Sequence, residues 1–226
     1  PVICNGVWEG TILRTPQGDN GFGYDPVFLP NDSTRAAAEF SAEEKMKSLA
    51  PRLLLSMPQL SDPNFKQTVI LLCGHGEQGA FGLVLNRQTD TPVSSVVRLT
   101  PPVDVDNGLY LWVGGPVEPE RGWILLGQEP RDVESVEVSD GLYLSSSPTL
   151  LRQLLENQPP KRTRLLTGYA GWGAGQLDAE LSASAWLITS VQLDLIFDTP
   201  ASEMWETAIR RLGADPSMLQ MGSGVH

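Results

Sequence analysis

From residue 52 onward the chain is cut into short apolar runs, each bounded by Gly, Pro, Asp or Asn: RLLLSM (52–57), TVILLC (68–73), GAFGLVLN (79–86), LYLWVG (109–114), GWILLG (122–127), GLYLSS (141–146), RLLTGYA (164–170) and LDLIF (193–197). Runs of this length and punctuation read as strands. Helical patterning is scarcer. Ser147-Pro148 reads as a cap followed by proline at the first helical position, with Leu150, Leu151, Leu154 and Leu155 on one face. Thr199-Pro200 opens another helix, which carries Met204, Trp205, Ala208, Ile209 and Leu212 at helical spacing and stops at Gly213. A third is predicted over 176–185. Strands outnumber helices and do not alternate with them, so the pattern predicts a twisted, largely antiparallel α+β fold rather than a doubly wound parallel sheet.

The stretch before these runs has a different character. Residues 34–48, TRAAAEFSAEEKMKS, are rich in Ala and Glu, and the apolar run that follows ends in proline. The expected division is therefore 1–48 and 49–226. The first part carries −3 of the formal charge of −11, leaving −8 on the second, which is large enough for a core of its own. That charge repels phosphate backbones and anionic lipid. Only KRTR, Lys161 to Arg164, resembles a basic patch, and it reads as a solvated loop after a helix. No run of eighteen apolar residues occurs, so no membrane span is expected. The opening PVICNGVWEG lacks the basic and hydrophobic blocks of a secretory leader, and two cysteines, Cys4 and Cys73, make no disulfide framework. The expected compartment is the cytoplasm.

Each motif that could carry chemistry also has a plain structural role. Cys73 and His75 stand two apart, which on a regular strand puts both side chains on one face as a conceivable thiolate–imidazole pair. A buried strand cysteine beside a turn histidine is the preferred reading, and the histidines and cysteines are too few for a zinc sphere. VGGPVEPERG (113–122) offers an anion nest with Arg121 at its edge, but it lacks the lysine and hydroxyl of a phosphate loop and reads first as a proline-fixed turn. GYAGWGAGQ (168–176) presents Tyr169 and Trp172 among four glycines and runs into a helix. Packing is the preferred reading here too, and flexible glycines beside aromatic rings also suit a surface for a small molecule or a partner. Arg121, Tyr169 and Trp172 are thus the candidate ligand surface. Ser145, Ser146 and Ser147 lack the nucleophile elbow of a hydrolase, so no catalytic or metal-binding residue is assigned.

Two resemblances add to this reading. GFGYDPVF followed by AAAEFSAEEK, within about residues 1–47, resembles the C-terminal part of the inosine-triphosphate (dITP/XTP) pyrophosphatase family. The resemblance implies a substrate loop at Phe22, Gly23, Tyr24 and Asp25 and the family lysine at Lys45, with Mg²⁺ as the cofactor of that activity. The family's catalytic aspartate and metal-binding acid belong to a half not matched here, and Met46-Lys47-Ser48-Leu49-Ala50 stands where it expects Ser-His-Arg. A remnant without turnover is therefore expected, with no cofactor unless that activity is completed elsewhere.

From about Leu49 to the end the chain resembles the AlgH/YqgE family in four ordered blocks: LLLSMPQLSDPNFKQTVILLCGHGEQGAFGLVLNR, LWVGGPVEPERGWIL, GYAGWGAGQLDAELSASAWL and GSGVH. That resemblance implies a bacterial cytosolic protein with coiled, bifurcated α+β sheets, named in places as a transcriptional regulator, in a family whose biochemistry is not established. The expected role is a binding or regulatory module for a protein or small-molecule partner. The pyrophosphatase reading is the alternative.

Overall fold

The computed structural model describes residues 10–12, 28–30, 49–58, 60, 62–98, 101, 107–131 and 134–221. Two short strands, β1 (Gly10–Ile12) and β2 (Phe28–Pro30), pair antiparallel with Thr11 opposite Leu29.

The larger sheet is built from the apolar runs. It contains β3 (Arg52–Ser56), β4 (Val69–Gly76), β5 (Gly79–Val84), β6 (Gln88–Pro92), β7 (Tyr110–Val113), β8 (Val117–Leu126), β9 (Val136–Ser139), β10 (Leu142–Ser145), β11 (Thr163–Trp172) and β12 (Trp186–Thr189). Its order is β12-β3-β4-β5-β11-β8-β10-β9, with β7 beside β11 and β6 beside β7. Every pairing is antiparallel except β7 with β11. The sheet is curled and mostly antiparallel, as the punctuation of the sequence predicts.

Strand β11 is the seam. Its first half pairs with β8 and, at Leu165–Thr167, with β7; its last three residues, Ala170–Trp172, pair with β5 instead. The register against β8 breaks at Gly168, whose φ is 69°, and after Tyr169 the strand changes partner to β5. A Cβ there would lie 2.2 Å from the Gly115 carbonyl, and one on Gly115 would lie 2.1 Å from the Tyr169 carbonyl carbon. The two backbones are pressed together with no room for side chains, which lets the sheet divide at this point. Gly114 joins the branches: its N–H donates to Thr167 and its carbonyl accepts from Val84, both at 2.7 Å.

The helices are α1 (Val93–Val96), α2 (Pro148–Glu156), α3 (Gln176–Ser182), α4 (Leu193–Phe197), α5 (Ala201–Arg211) and α6 (Pro216–Met221). Helix α2 starts as the sequence indicates, with Ser147 Oγ accepting from the Leu150 N–H and proline at the first turn. On one face of the sheet Leu53, Leu55, Val69, Leu71, Leu83 and Leu125 pack against Leu195 and Ile196 of α4 and Met204, Trp205 and Ile209 of α5. On the other, Leu54, Ile70, Leu72 and Val84 pack with Trp172, Trp186 and Leu177 of α3. A third cluster joins Ile124, Leu126 and Leu165 to Val93 of α1 and Leu150, Leu154 and Leu155 of α2. Alternate residues of one strand thus enter different clusters, the period-2 rule at work.

Three expectations are corrected. LDLIF is not a strand but helix α4, with the adjacent Leu195 and Ile196 both fully buried, which a one-sided strand does not allow. The helix predicted over 176–185 ends at Ser182, because Ser184 turns to a positive φ of 57° and Trp186 enters β12 opposite Ser56. The KRTR segment is not all solvated loop. Arg164 lies on β11, only 4 % exposed, donates to the Leu85 and Ile196 carbonyls, and stacks 3.9 Å above the Trp112 ring. Among the described residues no helix is long and apolar enough to cross a membrane.

Candidate functional site

A groove of about 870 Å³ opens where the β4–β5 hairpin meets β8 and β11. Its wall is aromatic. Phe81 of β5, Trp123 of β8 and Tyr169 of β11 converge from three strands, with ring centroids 4.9 Å (Phe81–Trp123), 5.2 Å (Phe81–Tyr169) and 6.5 Å (Trp123–Tyr169) apart. Register explains the convergence. Phe81 faces Gly171 on β11 and Gly74 on β4, so no side chain flanks its ring from either neighbour. The Tyr169 ring leans into the first gap, 3.1 Å from where a Cβ on Gly171 would stand. The gap at Gly74 stays open: a Cβ there, or on Gly76, would meet nothing within 4 Å.

The rim carries charge. Arg121 lies with its guanidinium 4.6 Å above the Trp123 ring and its Nη1 3.3 Å from Glu118 Oε2. Tyr169 donates its phenol to Glu118 Oε1 at 3.3 Å. Partial burial, then the Glu118 charge, pushes the Tyr169 hydroxyl up from its ordinary range. Glu118 holds this position on a backbone φ of 44°, a region that a non-glycine residue occupies at a cost. Trp123 Nε1 is buried and meets no acceptor among the described residues.

The residues singled out in the sequence divide as follows. Arg121 and Tyr169 come together across the rim, linked through Glu118. Trp172 borders the groove, but its indole is 6 % exposed and is stacked among Phe65 and Trp186, with its N–H given to Glu180 at 2.9 Å. Cys73 and His75 do not share a face. A bulge between Leu72 and Gly74 breaks the alternation, so Cys73 packs against the cluster that holds Leu71. The imidazole of His75, 1 % exposed, instead reaches Asp178 of α3 at 3.3 Å. Burial pushes the Cys73 thiol up to about 12, and its Sγ lies 3.5 Å from the Leu71 carbonyl. Ser147 caps α2, and Ser145 Oγ donates to the Glu134 carbonyl. The N-terminal amide at Gly173 is taken by Gln176 Oε1 at 3.1 Å.

Phe22, Gly23, Tyr24, Asp25 and Lys45 lie outside the described residues. Among the described residues no group of three or more His, Cys, Asp or Glu is placed to hold a metal ion.

The sequence reading missed Phe81, Trp123 and Glu118. One signal was available: glycine pairs in CGHG, GAFG and GYAGWG leave aromatic residues without neighbours on a strand. That the three segments meet follows only from register.

Comparison with known proteins gives a consistent family. The AlgH-like family matches residues 53–217, and the Ham1 family matches residues 1–50. A UPF0301 protein of Myxococcus xanthus is 41 % identical over 184 residues, spanning 80 % of this chain and all of that protein. One of Burkholderia ambifaria is 40 % identical, spanning 78 % of this chain and 95 % of its own. The solution structure of the AlgH protein from Pseudomonas aeruginosa is similar, with a TM-score of 0.64, 35 % identity, and cover of 79 % of this chain and 96 % of that one. A crystal structure of a Corynebacterium diphtheriae protein shares the fold, with a TM-score of 0.58 at 20 % identity, covering 82 % of this chain and all of that one.

Proposed function

The chain belongs to the AlgH-like family, and from that premise we propose that residues 49–226 act as a binding module whose working surface is the groove of Phe81, Trp123 and Tyr169. One observation carries the reading. Of the glycines that line the groove, Gly79 is pressed against the Trp172 backbone and Gly171 against the Tyr169 ring, whereas Gly74, opposite Phe81, and Gly76 have empty space where a side chain would go. A glycine inside a strand costs about 0.5–1 kcal/mol, and here no packing demand offsets it. Space kept clear beside three rings suits a ligand.

A binding role accords with the chemistry on offer. The one described thiol stays protonated near neutral pH, and the hydroxyls of Ser145 and Ser147 bond to backbone. Regulation, on this reading, runs through what the groove holds and not through contact with DNA, which a charge of −11 opposes.

The test uses one ring with three charges: benzamidinium, benzoate and benzyl alcohol, each titrated to millimolar concentration against ¹⁵N-labelled protein. The six indole N–H resonances are assigned with Trp→Phe variants. At least one probe should move the Trp123 resonance and leave that of buried Trp205 in place. If none moves Trp123, or all tryptophans move together, the groove is not a selective site.

A further inference from the structure

Resting on the groove as the working surface, we propose that its ligand is a cationic side chain, a guanidinium or ammonium from a basic segment of a partner protein, and that Arg121 is a stand-in that occupies the site until the partner displaces it.

The argument begins with the rings. Phe81, Trp123 and Tyr169 stand within 6.5 Å of one another, centroid to centroid, and line one groove, with the Trp123 ring face open to a cation. Aromatic faces carry negative quadrupole density, and a cation set over them within about 6 Å is attracted. A carboxylate completes the arrangement, since Glu118 stands at the rim and accepts from Tyr169. Three rings and an acid form a receptor for a positive group. The groove already holds one: the Arg121 guanidinium, 4.6 Å above Trp123 and 3.3 Å from Glu118.

Arg121 is loosely held there. Its side chain is 51 % exposed and Glu118 is 54 % exposed, so solvent screens their attraction. The contrast with Arg164 is instructive. That arginine also stacks on a tryptophan, but it is 4 % exposed and fixed by two carbonyls. Arg164 is built in, whereas Arg121 can leave at small cost.

Charge decides between a cationic and an anionic guest. An anion seeking Arg121 would have to break the bond to Glu118 and would meet Glu77, which also lines the groove. It would approach a molecule of charge −11. A cation exchanges for Arg121 without uncovering any carboxylate and is steered by the same field. The Tyr169 phenol, donating to Glu118 Oε1 at 3.3 Å, holds that carboxylate at the rim when Arg121 leaves.

The experiment titrates full-length protein with N-acetyl-arginine amide and reads the Trp123 indole resonance. N-acetyl-citrulline amide serves as the neutral isostere and N-acetyl-glutamate amide as the anion. The arginine probe should shift Trp123, the citrulline probe should not, and affinity should fall with added salt. Arg121→Ala should bind the arginine probe about tenfold more tightly, since a site occupied nine-tenths of the time by its own side chain weakens apparent affinity by that factor. Arg121→Gln should behave the same way, and Glu118→Gln should bind about tenfold more weakly. The proposal is overturned if the glutamate probe shifts Trp123 and Arg121→Ala abolishes the shift. The groove then remains a site, but one for anions, with Arg121 as its ligand. It is also overturned if Arg121→Ala leaves the affinity for the arginine probe unchanged. If no probe moves Trp123 in any variant, the groove reading falls with it.

Discussion

The indole N–H of Trp205, on helix α5, donates to the backbone carbonyl of Ser56, 2.9 Å away and 149 positions earlier in the chain. Both groups are buried, and Ser56 Oγ at the same point accepts from the Thr68 N–H. The last long helix is thereby tied to the first strand of the large sheet. Trp205→Phe keeps most of the ring but orphans the Ser56 carbonyl. The expected loss is about 2 kcal/mol of unfolding free energy, measured by urea titration.

Arg164 is a second internal tie. Its charge is desolvated, which brings its pKa down to about 9, and among the described residues no carboxylate pairs with it. The Leu85 and Ile196 carbonyls and the faces of Trp112 and Phe197 take that place. Arg164→Ala leaves both a void and two unsatisfied carbonyls and should cost about 3 kcal/mol in the same assay. Arg164→Met fills the void and removes the buried charge but leaves the same two carbonyls without a donor, so it should cost less than Arg164→Ala while remaining destabilising.

Acid should act through Asp194. Its hydrogen bond from Arg211 is the largest influence and holds the carboxyl below its ordinary value of 3.8, while Arg211 stays charged throughout. A folded-state pKa below the unfolded one gives stability that is complete above about pH 4 and is lost as pH falls through the folded value. Thermal midpoints of wild type and Asp194→Asn should therefore differ near neutrality and converge once the pH has fallen below 3.8 and through the depressed folded-state value. A gap that persists at low pH would assign the effect to helix α4 rather than to the ion pair.

Residues 1–48 are proposed to be dispensable for the stability of 49–226. Among the described residues, all three clusters are formed from Leu49 onward, and a segment of 48 residues buries too little apolar surface by itself to offset its backbone entropy. A deletion of 1–48 should leave the main tryptophan-detected unfolding midpoint within about 2 °C of the full chain, since a change of 1 kcal/mol moves a domain of this size by a few degrees. A sharp drop or insolubility would mean that the segment covers part of the larger unit.

Much of this architecture is legible in the sequence because strands announce themselves by punctuation and helices by caps. Seven of the eight apolar runs lie on strands, and Ser147-Pro148 and Gly213 mark helix ends as they stand. LDLIF misleads because five residues hold too little pattern to separate a period of 2 from 3.6. Short strands such as β6, QTDTP, are polar and owe their form to pairing with β7. The groove is half legible. Tyr169 and Arg121 stand out beside glycines and prolines, yet Phe81 and Trp123 join them only through strand register, and the positive φ at Glu118 has no sequence signature. The bulge at Cys73 likewise defeats a rule based on alternation.

The central claim, that the groove is kept open for a ligand and not for the fold, is tested most directly by Gly74→Leu. Gly74 stands opposite Phe81 with nothing within 4 Å of an added Cβ, whereas Gly115 and Gly168 lie against backbone. Thermal unfolding and probe titration are measured on Gly74→Leu, with Gly168→Leu as the contrasting variant. The account predicts that Gly74→Leu melts at or above the wild-type midpoint yet no longer shows any probe-induced shift of Trp123, while Gly168→Leu fails to fold. If Gly74→Leu unfolds as readily as Gly168→Leu, or keeps full probe binding, the glycine serves the fold and the groove is not the site.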